Sequence, residues 1–427
     1  MQKFLSGLDK LILISAAALP FFMAVAPGPM NVFAALLIIS FLLKKIIKHE
    51  RLFFPGLLGL SLIMFFLVTC LSIIHSLKFI DTLKGGIFRL FTYILVFLAM
   101  AHEAKDKRFL KWIIISSGCG LALVSIDGIW QVATGKDFIR GYEPVLNIGL
   151  ARATASFKDS NVMGIYLSAL SPLGLGLSLY YFKGKNKMIM AALSILSLIG
   201  VVLTYSRPTL LAVYIALLFL AIVKKDKLII GGLVLVTLIS PFAMPRSVKD
   251  WARGLEYNPL RIMCNDDRIA IYRNTLRMIK AHPIIGVGAN TFMKNYRFYK
   301  EYPEYRNVVT IDYIYAHNNF LHMAGELGLA GLSLFLWFVY LLFKRGLAIH
   351  KRLKDGFSKT LSLSLLACII AFLVNGLTES SLYYSRVAVL FWYIAGLVLA
   401  LDKFQTRGEY RSTASTAGLE GVLDDAK

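Results

Sequence analysis

Three residues stand where a hydrophobic chain has least reason to keep a polar head. Arg207 lies in Thr204-Tyr205-Ser206-Arg207-Pro208, which joins two apolar runs with almost no loop. A guanidinium at a membrane edge is costly to bury and invites a paired anion. A snorkelling arginine at a helix end leaves the same local signature. Pro208 is an ordinary first-turn residue. Arg268 follows Asp266 and Asp267, either of which can cap a helix starting near it. The N-terminus of that helix, with Arg268, suits a phosphate. His317 stands with Asn318 and Asn319 where a long polar interval re-enters an apolar run. It suits a general base near neutral pH, and equally a capping or interfacial histidine. Anion binding and proton acceptance are the chemistries these residue types support.

Further candidates fall in the same intervals. Arg152, Ser156, Phe157, Asp159 and Asn161 precede an apolar run, and Lys84 and Arg89 flank the start of another. Tyr205 adjoins Arg207, Glu326 follows His317 by nine residues, and Glu379 ends a run. Tyr296, Phe298, Tyr299, Tyr302, Tyr305, Tyr313 and Tyr315 crowd the longest polar interval. Such rings stack on sugar faces and also collect at membrane interfaces. His317 and His322 do not make an HExxH zinc helix, and no phosphate-binding GxxxxGK[ST] loop or GxSxG elbow occurs. The four cysteines (Cys70, Cys119, Cys264, Cys368) are scattered without metal-ligand spacing and read as core residues. No cofactor is implied.

The elements that must hold these residues are membrane helices. Hydrophobic residues make up 57% of the 427, too many for a soluble domain of this size. Twelve candidate spans are expected: 11–28, 31–47, 52–74, 86–102, 109–133, 161–182, 187–204, 207–223, 228–244, 323–343, 358–378 and 386–402. The fold class is therefore an all-α integral membrane protein, since no strict alternation suggests barrel strands. The organisation reads as a bundle over 1–244, a large helical loop over 245–322, three further spans over 323–402, and a small polar tail over 403–427 expected to be disordered. Ala24-Val25-Ala26 resembles a signal-peptidase site, but Pro27 and a second apolar run follow at once, so a retained first span is expected.

The formal charge of +22 is gathered largely in short loops, which points to topology and not to nucleic acid. Lysine and arginine follow every even-numbered span: Lys44, Lys45, Lys48 and Arg51, for example, and Lys344 through Lys359. The positive-inside rule then puts both termini in the cytoplasm and Arg207, Arg268 and His317 on the outer face. ATP and nucleotide sugars are absent from a periplasm, so chemistry there must use energy stored in a substrate. Within the large loop, Ile269, Tyr272, Leu276 and Ile279 predict one apolar helix face, with Arg273, Arg277 and Lys280 on a solvated basic stripe.

Four motifs together resemble the O-antigen ligase and polymerase superfamily of bacterial inner membranes. They are Thr154 to Asn161; Tyr205-Ser206-Arg207; Arg268 through Pro283-Ile284-Ile285-Gly286-Val287-Gly288; and His317-Asn318 with Glu326-Leu327-Gly328. Pro208 and Ala155-Ser156 depart from the usual pattern without removing a charged group. The resemblance implies a glycosyltransferase of GT-C-like helical fold, metal-independent and inverting. It implies a glycan donor on undecaprenyl diphosphate and, for a ligase, a lipid A–core acceptor. His317, Arg268 and Arg207 would be catalytic. Arg152, Asn161, Arg89, Lys84, Asn318, Glu326, Glu379 and Tyr205 would line the substrate site. Polymerases and protein-directed transferases of the superfamily share the donor and differ in acceptor. A transporter of lipid-linked glycan is the rival of a different class; it would need acids deep within spans, and Asp127 is the clearest such residue.

Overall fold

The computed structural model describes residues 1–104, 106–147, 149–243, 246–258, 262–264, 266–300 and 315–404. Tyr302, Tyr305, Tyr313 and the expected disorder of the polar tail beyond residue 404 lie outside these. Among the described residues, ten helices are long and apolar enough to cross a membrane. The chain opens with α1 (Gln2–Val25) and α2 (Pro27–Ile47). They meet at an extended Ala26, and Pro27 occupies the first turn of α2, where a missing N–H costs nothing. Then follow α3 (Leu57–Leu71), a π-type turn over Thr82–Phe88, α4 (Arg89–Glu103) and α5 (Lys107–Thr134). Asp106 caps α5 by accepting from the Phe109 N–H at 2.7 Å.

A short antiparallel hairpin comes next, with β1 (Val145–Asn147) paired to β2 (Leu150–Arg152) and Val145 opposite Arg152. No residue pattern over 145–152 marks it as strand. Then come α6 (Ser160–Tyr180), α7 (Gly184–Leu203), α8 (Arg207–Lys224) and α9 (Lys227–Ala243). The large loop holds α10 (Arg246–Gly254), α11 (Asp266–Ala281) and α12 (Phe292–Tyr296). The chain then forms α13 (Asn319–Arg352), α14 (Phe357–Asn375) and α15 (Ser385–Ala400).

α3 and α4 reach spanning length only with the turns that continue them, over Leu57–His75 and Phe79–Glu103, whereas two others of the twelve expected spans stay short. The run at 228–244 forms α9, only 17 residues long, and that at 386–402 forms α15, only 16. At 1.5 Å per residue such helices reach about 25 Å, short of a ~30 Å hydrocarbon core. For α15 the reason is its position. From Arg386 to Ala400 every residue is buried, so protein surrounds it and its ends need not meet lipid. Its Trp392 stacks on Phe338 of α13 with ring centroids 5.2 Å apart, and packs edge-on against Phe97 of α4 at 6.0 Å. α6 is almost as deeply enclosed. These central helices are the rigid frame on which the polar end is assembled.

The loop helix α11 corrects an expectation. Its buried side carries Ile271, Asn274, Thr275, Met278 and, from the predicted face, Ile279, while Ile269 and Tyr272 are half-buried and Leu276 is 47% exposed. The predicted face of Ile269, Tyr272, Leu276 and Ile279 is thus shifted in part, with Leu276 turned outward. Polar residues mislead here because they are satisfied: Asn274 Nδ2 donates to Tyr296 Oη at 2.8 Å and Thr275 Oγ1 to the Ile271 carbonyl at 2.7 Å.

Candidate active site

Two motifs far apart in sequence make one clasp. The Val287 N–H donates to the Gly325 carbonyl and the Gly288 N–H to that of Glu326, both at 3.0 Å. In return the Leu329 N–H donates to Pro283 O at 2.8 Å and the Ala330 N–H to Ile284 O at 3.2 Å. Gly328 breaks α13 with φ 67° and ψ −174°. A Cβ there would stand 2.1 Å from Ile284 O, and one at Gly286, also at positive φ, 2.3 Å from the Glu326 carbonyl carbon. Only glycine allows this approach. Glu326 completes the clasp: its Oε1 accepts from the Phe292 N–H at 3.0 Å and lies 3.4 Å from His322 Nε2. The clasp sets where α11 ends and the first turns of α13 begin, and so positions Arg268 and His317.

Those two residues meet on Glu379, in the turn between α14 and α15. His317 Nδ1 is 3.1 Å from Glu379 Oε2, and Arg268 Nη2 donates to Oε1. Asn161 Nδ2 donates to the same Oε1 at 3.0 Å. Arg152 Nη2 in turn donates to Asn161 Oδ1 at 2.8 Å, and its Nε to the Thr204 carbonyl at 2.8 Å. One polar chain therefore links β2, the start of α6, the α14–α15 turn, α11 and the entry to α13. The Glu379 side chain is 1% exposed, whereas Arg268 is 15% and His317 30% exposed. The carboxylate is sealed and its partners face outward. Burial pushes the Glu379 carboxyl up, but His317 and Arg268, by hydrogen bond and charge, outweigh burial and hold it below its ordinary value. Asp159 goes the other way: burial pushes it up, and Glu379 adds to that.

His317 is itself held in a left-handed backbone conformation, φ 47°. Tyr272 Oη donates to its carbonyl at 3.0 Å. Tyr205, before Arg207, shares that φ of 47°. Such residues persist only where the surroundings over-determine them. The Ala153 N–H donates to Leu203 O at 2.9 Å, so β2 and the end of α7 are tied together. That brings Arg207 within electrostatic reach of Arg152 and Arg268. The Arg207 guanidinium sits 4.7 Å from the ring centroid of Trp251 on α10. Its Nη1 is buried and makes no hydrogen bond among the described residues.

The other expected site residues divide. Asn318 caps α13, accepting from Phe320 N and Leu321 N at 2.8 and 2.9 Å and donating to Leu377 O at 2.8 Å, so its side chain is committed to structure. Lys84 is exposed on the π-type turn. Arg89 lines a separate cavity of ≈ 80 Å³ with Tyr93, Asn290, Glu326 and Tyr383. It reaches the His317 group only indirectly, through its charge on Tyr315 and the packing of Tyr315 on Tyr384 at 5.3 Å. Asp127 accepts from the Phe138 N–H at 2.8 Å, fastening the loop after α5. Two residues went unnoticed in the sequence. Trp251 had only a short amphipathic helix to mark it. Arg386 donates to the Met23, Ala24 and Ser156 carbonyls and to Ser156 Oγ, which holds the Thr154–Asn161 segment in place. It read as the polar edge of a span. Among the described residues, no group of three or more His, Cys, Asp or Glu is placed to hold a metal ion.

A search of curated proteins returned no match. Against protein-family models, residues 192–336, about a third of the chain, match the family described as O-antigen ligase. The matched stretch contains Arg207, Arg268, His317 and Glu326, while Arg152, Asn161 and Glu379 come from outside it. It bears out the motif resemblance over that stretch, and the chain is an all-α integral membrane protein similar there to the O-antigen ligase and polymerase superfamily.

Proposed function

We propose that this protein is an O-antigen ligase. It would transfer a glycan from undecaprenyl diphosphate to a sugar hydroxyl of lipid A–core at the periplasmic face of the bacterial inner membrane. The observation that carries the reading is the junction at Glu379, where a histidine and an arginine share one sealed carboxylate. With Nδ1–H donating to Glu379, the neutral His317 presents Nε2 as a proton acceptor. The acceptor hydroxyl attacks the anomeric carbon and gives its proton to Nε2. The bond from that carbon to the diphosphate oxygen breaks, and its electrons stay on the diphosphate. Attack opposite the leaving group inverts the anomeric centre.

Charge develops on the leaving diphosphate, and preformed cations lower the barrier where charge develops. Arg268 and Arg207 supply them without a metal. The unsatisfied Nη1 of Arg207 suits a phosphate oxygen, and its partner Trp251 keeps the guanidinium plane fixed. Arg152 and Asn161 hold Glu379 from behind. The basic loops at the opposite end support the periplasmic orientation.

The test is transfer by purified protein given undecaprenyl-diphosphate glycan, with and without lipid A–core, in EDTA. Glycan on lipid A–core is the expected result. Longer glycans left on undecaprenyl diphosphate, with lipid A–core untouched, would make the protein the polymerase of the superfamily. Glycan that changes leaflet without covalent transfer would make it a transporter.

A further inference from the structure

A second cavity lies at the other end of the bundle. α5 and α7 are in close contact near Gly200, where an added Cβ would stand 3.0 Å from Ser125 Oγ. Toward Lys107 and Gly184 a pocket opens between them, lined from both helices, and at Gly118 an added Cβ would just reach Leu193 Cδ1 at 3.5 Å. The opening is a groove of ≈ 610 Å³, walled by apolar side chains such as Ile115, Leu193 and Met190. Tyr181 and Phe357 close one end, with ring centroids 5.3 Å apart. Lys107, Lys111 and Asn186 stand at its rim, and no Asp or Glu lines it. Both lysines are exposed and make no ion pair among the described residues. From Lys111 to Gln131, which reaches Thr154 near the candidate active site, α5 spans about 30 Å. The groove is thus a separate feature.

We infer that this groove is a binding site for an anionic phospholipid of the surrounding bilayer. Its apolar walls accept acyl chains, and the two lysines at the rim neutralise a phosphodiester headgroup. Basic pockets between membrane helices recognise acidic headgroups by this pairing. Asn186 adds a hydrogen-bonding group beside the charges. A zwitterionic lipid brings its own cation to the rim and gains less from the lysines. Charge complementarity therefore selects an anionic lipid over a neutral one with the same chains.

Cys119 lines the groove and is the exposed one of the four cysteines, so it reports on occupancy without engineering. The purified full chain would be titrated with palmitoyl-oleoyl phosphatidylglycerol or phosphatidylcholine, following lipid adducts by native mass spectrometry and Cys119 alkylation in parallel. Phosphatidylglycerol is expected to bind in preference and to slow alkylation. The K107Q/K111Q variant should reduce that preference by about tenfold, while K351Q/K354Q, which removes equal charge elsewhere, should keep it. Gly118→Leu should fill the groove and abolish both the adduct and the protection. Equal binding of both lipids would overturn the assignment, as would a preference unchanged in K107Q/K111Q or adducts that survive Gly118→Leu.

Discussion

Two buried ionic clusters occupy opposite ends of this molecule, and they are built differently. At the basic end, Lys44 of α2 pairs with Glu103 at 2.6 Å and with Asp9, while Lys45 pairs with Glu50 at 2.8 Å. Lys403 donates to the Ala101 and His102 carbonyls at 3.0 and 2.6 Å, fastening the same corner. Each cation there meets a carboxylate or carbonyl. At the other end, Arg152, Arg207 and Arg268 lie near Asp159 and Glu379, and among the described residues Arg207 Nη1 makes no hydrogen bond. The first cluster is closed and ties α1, α2 and α4 together. The second keeps an unsatisfied guanidinium N–H on Arg207 and a half-open histidine, which suit an anionic substrate.

This contrast can be broken most sharply at the two glutamates. Glu379→Gln should cut transfer about a thousandfold, because His317 loses the carboxylate that fixes its tautomer and direction. Glu103→Gln should leave the rate per folded molecule near wild type and cost stability instead, on the order of 3 kcal/mol for a broken buried pair. Turnover and thermal midpoints of the two variants, measured together, decide it. Next in size, Arg207→Ala should slow transfer about a hundredfold with little change in midpoint. Arg207→Lys should recover little of that, since an ammonium cannot offer the bidentate fork. Equal rates for Arg207→Lys and wild type would remove Arg207 from phosphate binding.

A smaller effect is expected at Asn161, which touches Glu379 from behind. Asn161→Ala should lower turnover about tenfold and leave substrate affinity unchanged, as for a positioning residue. The smallest is a pH effect. The Glu379 carboxyl is held below its ordinary 4.5, so its contribution to stability is complete above that value and lost as pH falls through the lowered one. The midpoint of the wild type should therefore drop in acid below 4.5 by more than that of Glu379→Gln.

The sequence made the helices legible because apolar length is a local property. It also marked Arg207, Arg268 and His317, which break that pattern at span edges. It could not show that Glu379 is the pivot. Its partners lie 62 and 111 positions away, and at the end of a span it looks like any interfacial acid. Asn318 and Glu326 were expected to line the substrate site. Their side chains also cap α13 and brace the clasp, roles set by backbone geometry that spacing does not reveal. The hairpin at 145–152 was hidden for the same reason, being three residues per strand with no alternation long enough to read.

The most direct test is transfer of glycan to lipid A–core by His317→Ala in a single-turnover assay, with the wild type and Glu379→Gln alongside. Loss of transfer by about a thousandfold in both variants, with donor still bound and the His317→Ala midpoint near wild type, is the expected result. A His317→Ala protein that transfers glycan at the wild-type rate would contradict the assignment of the open cluster as the catalytic one.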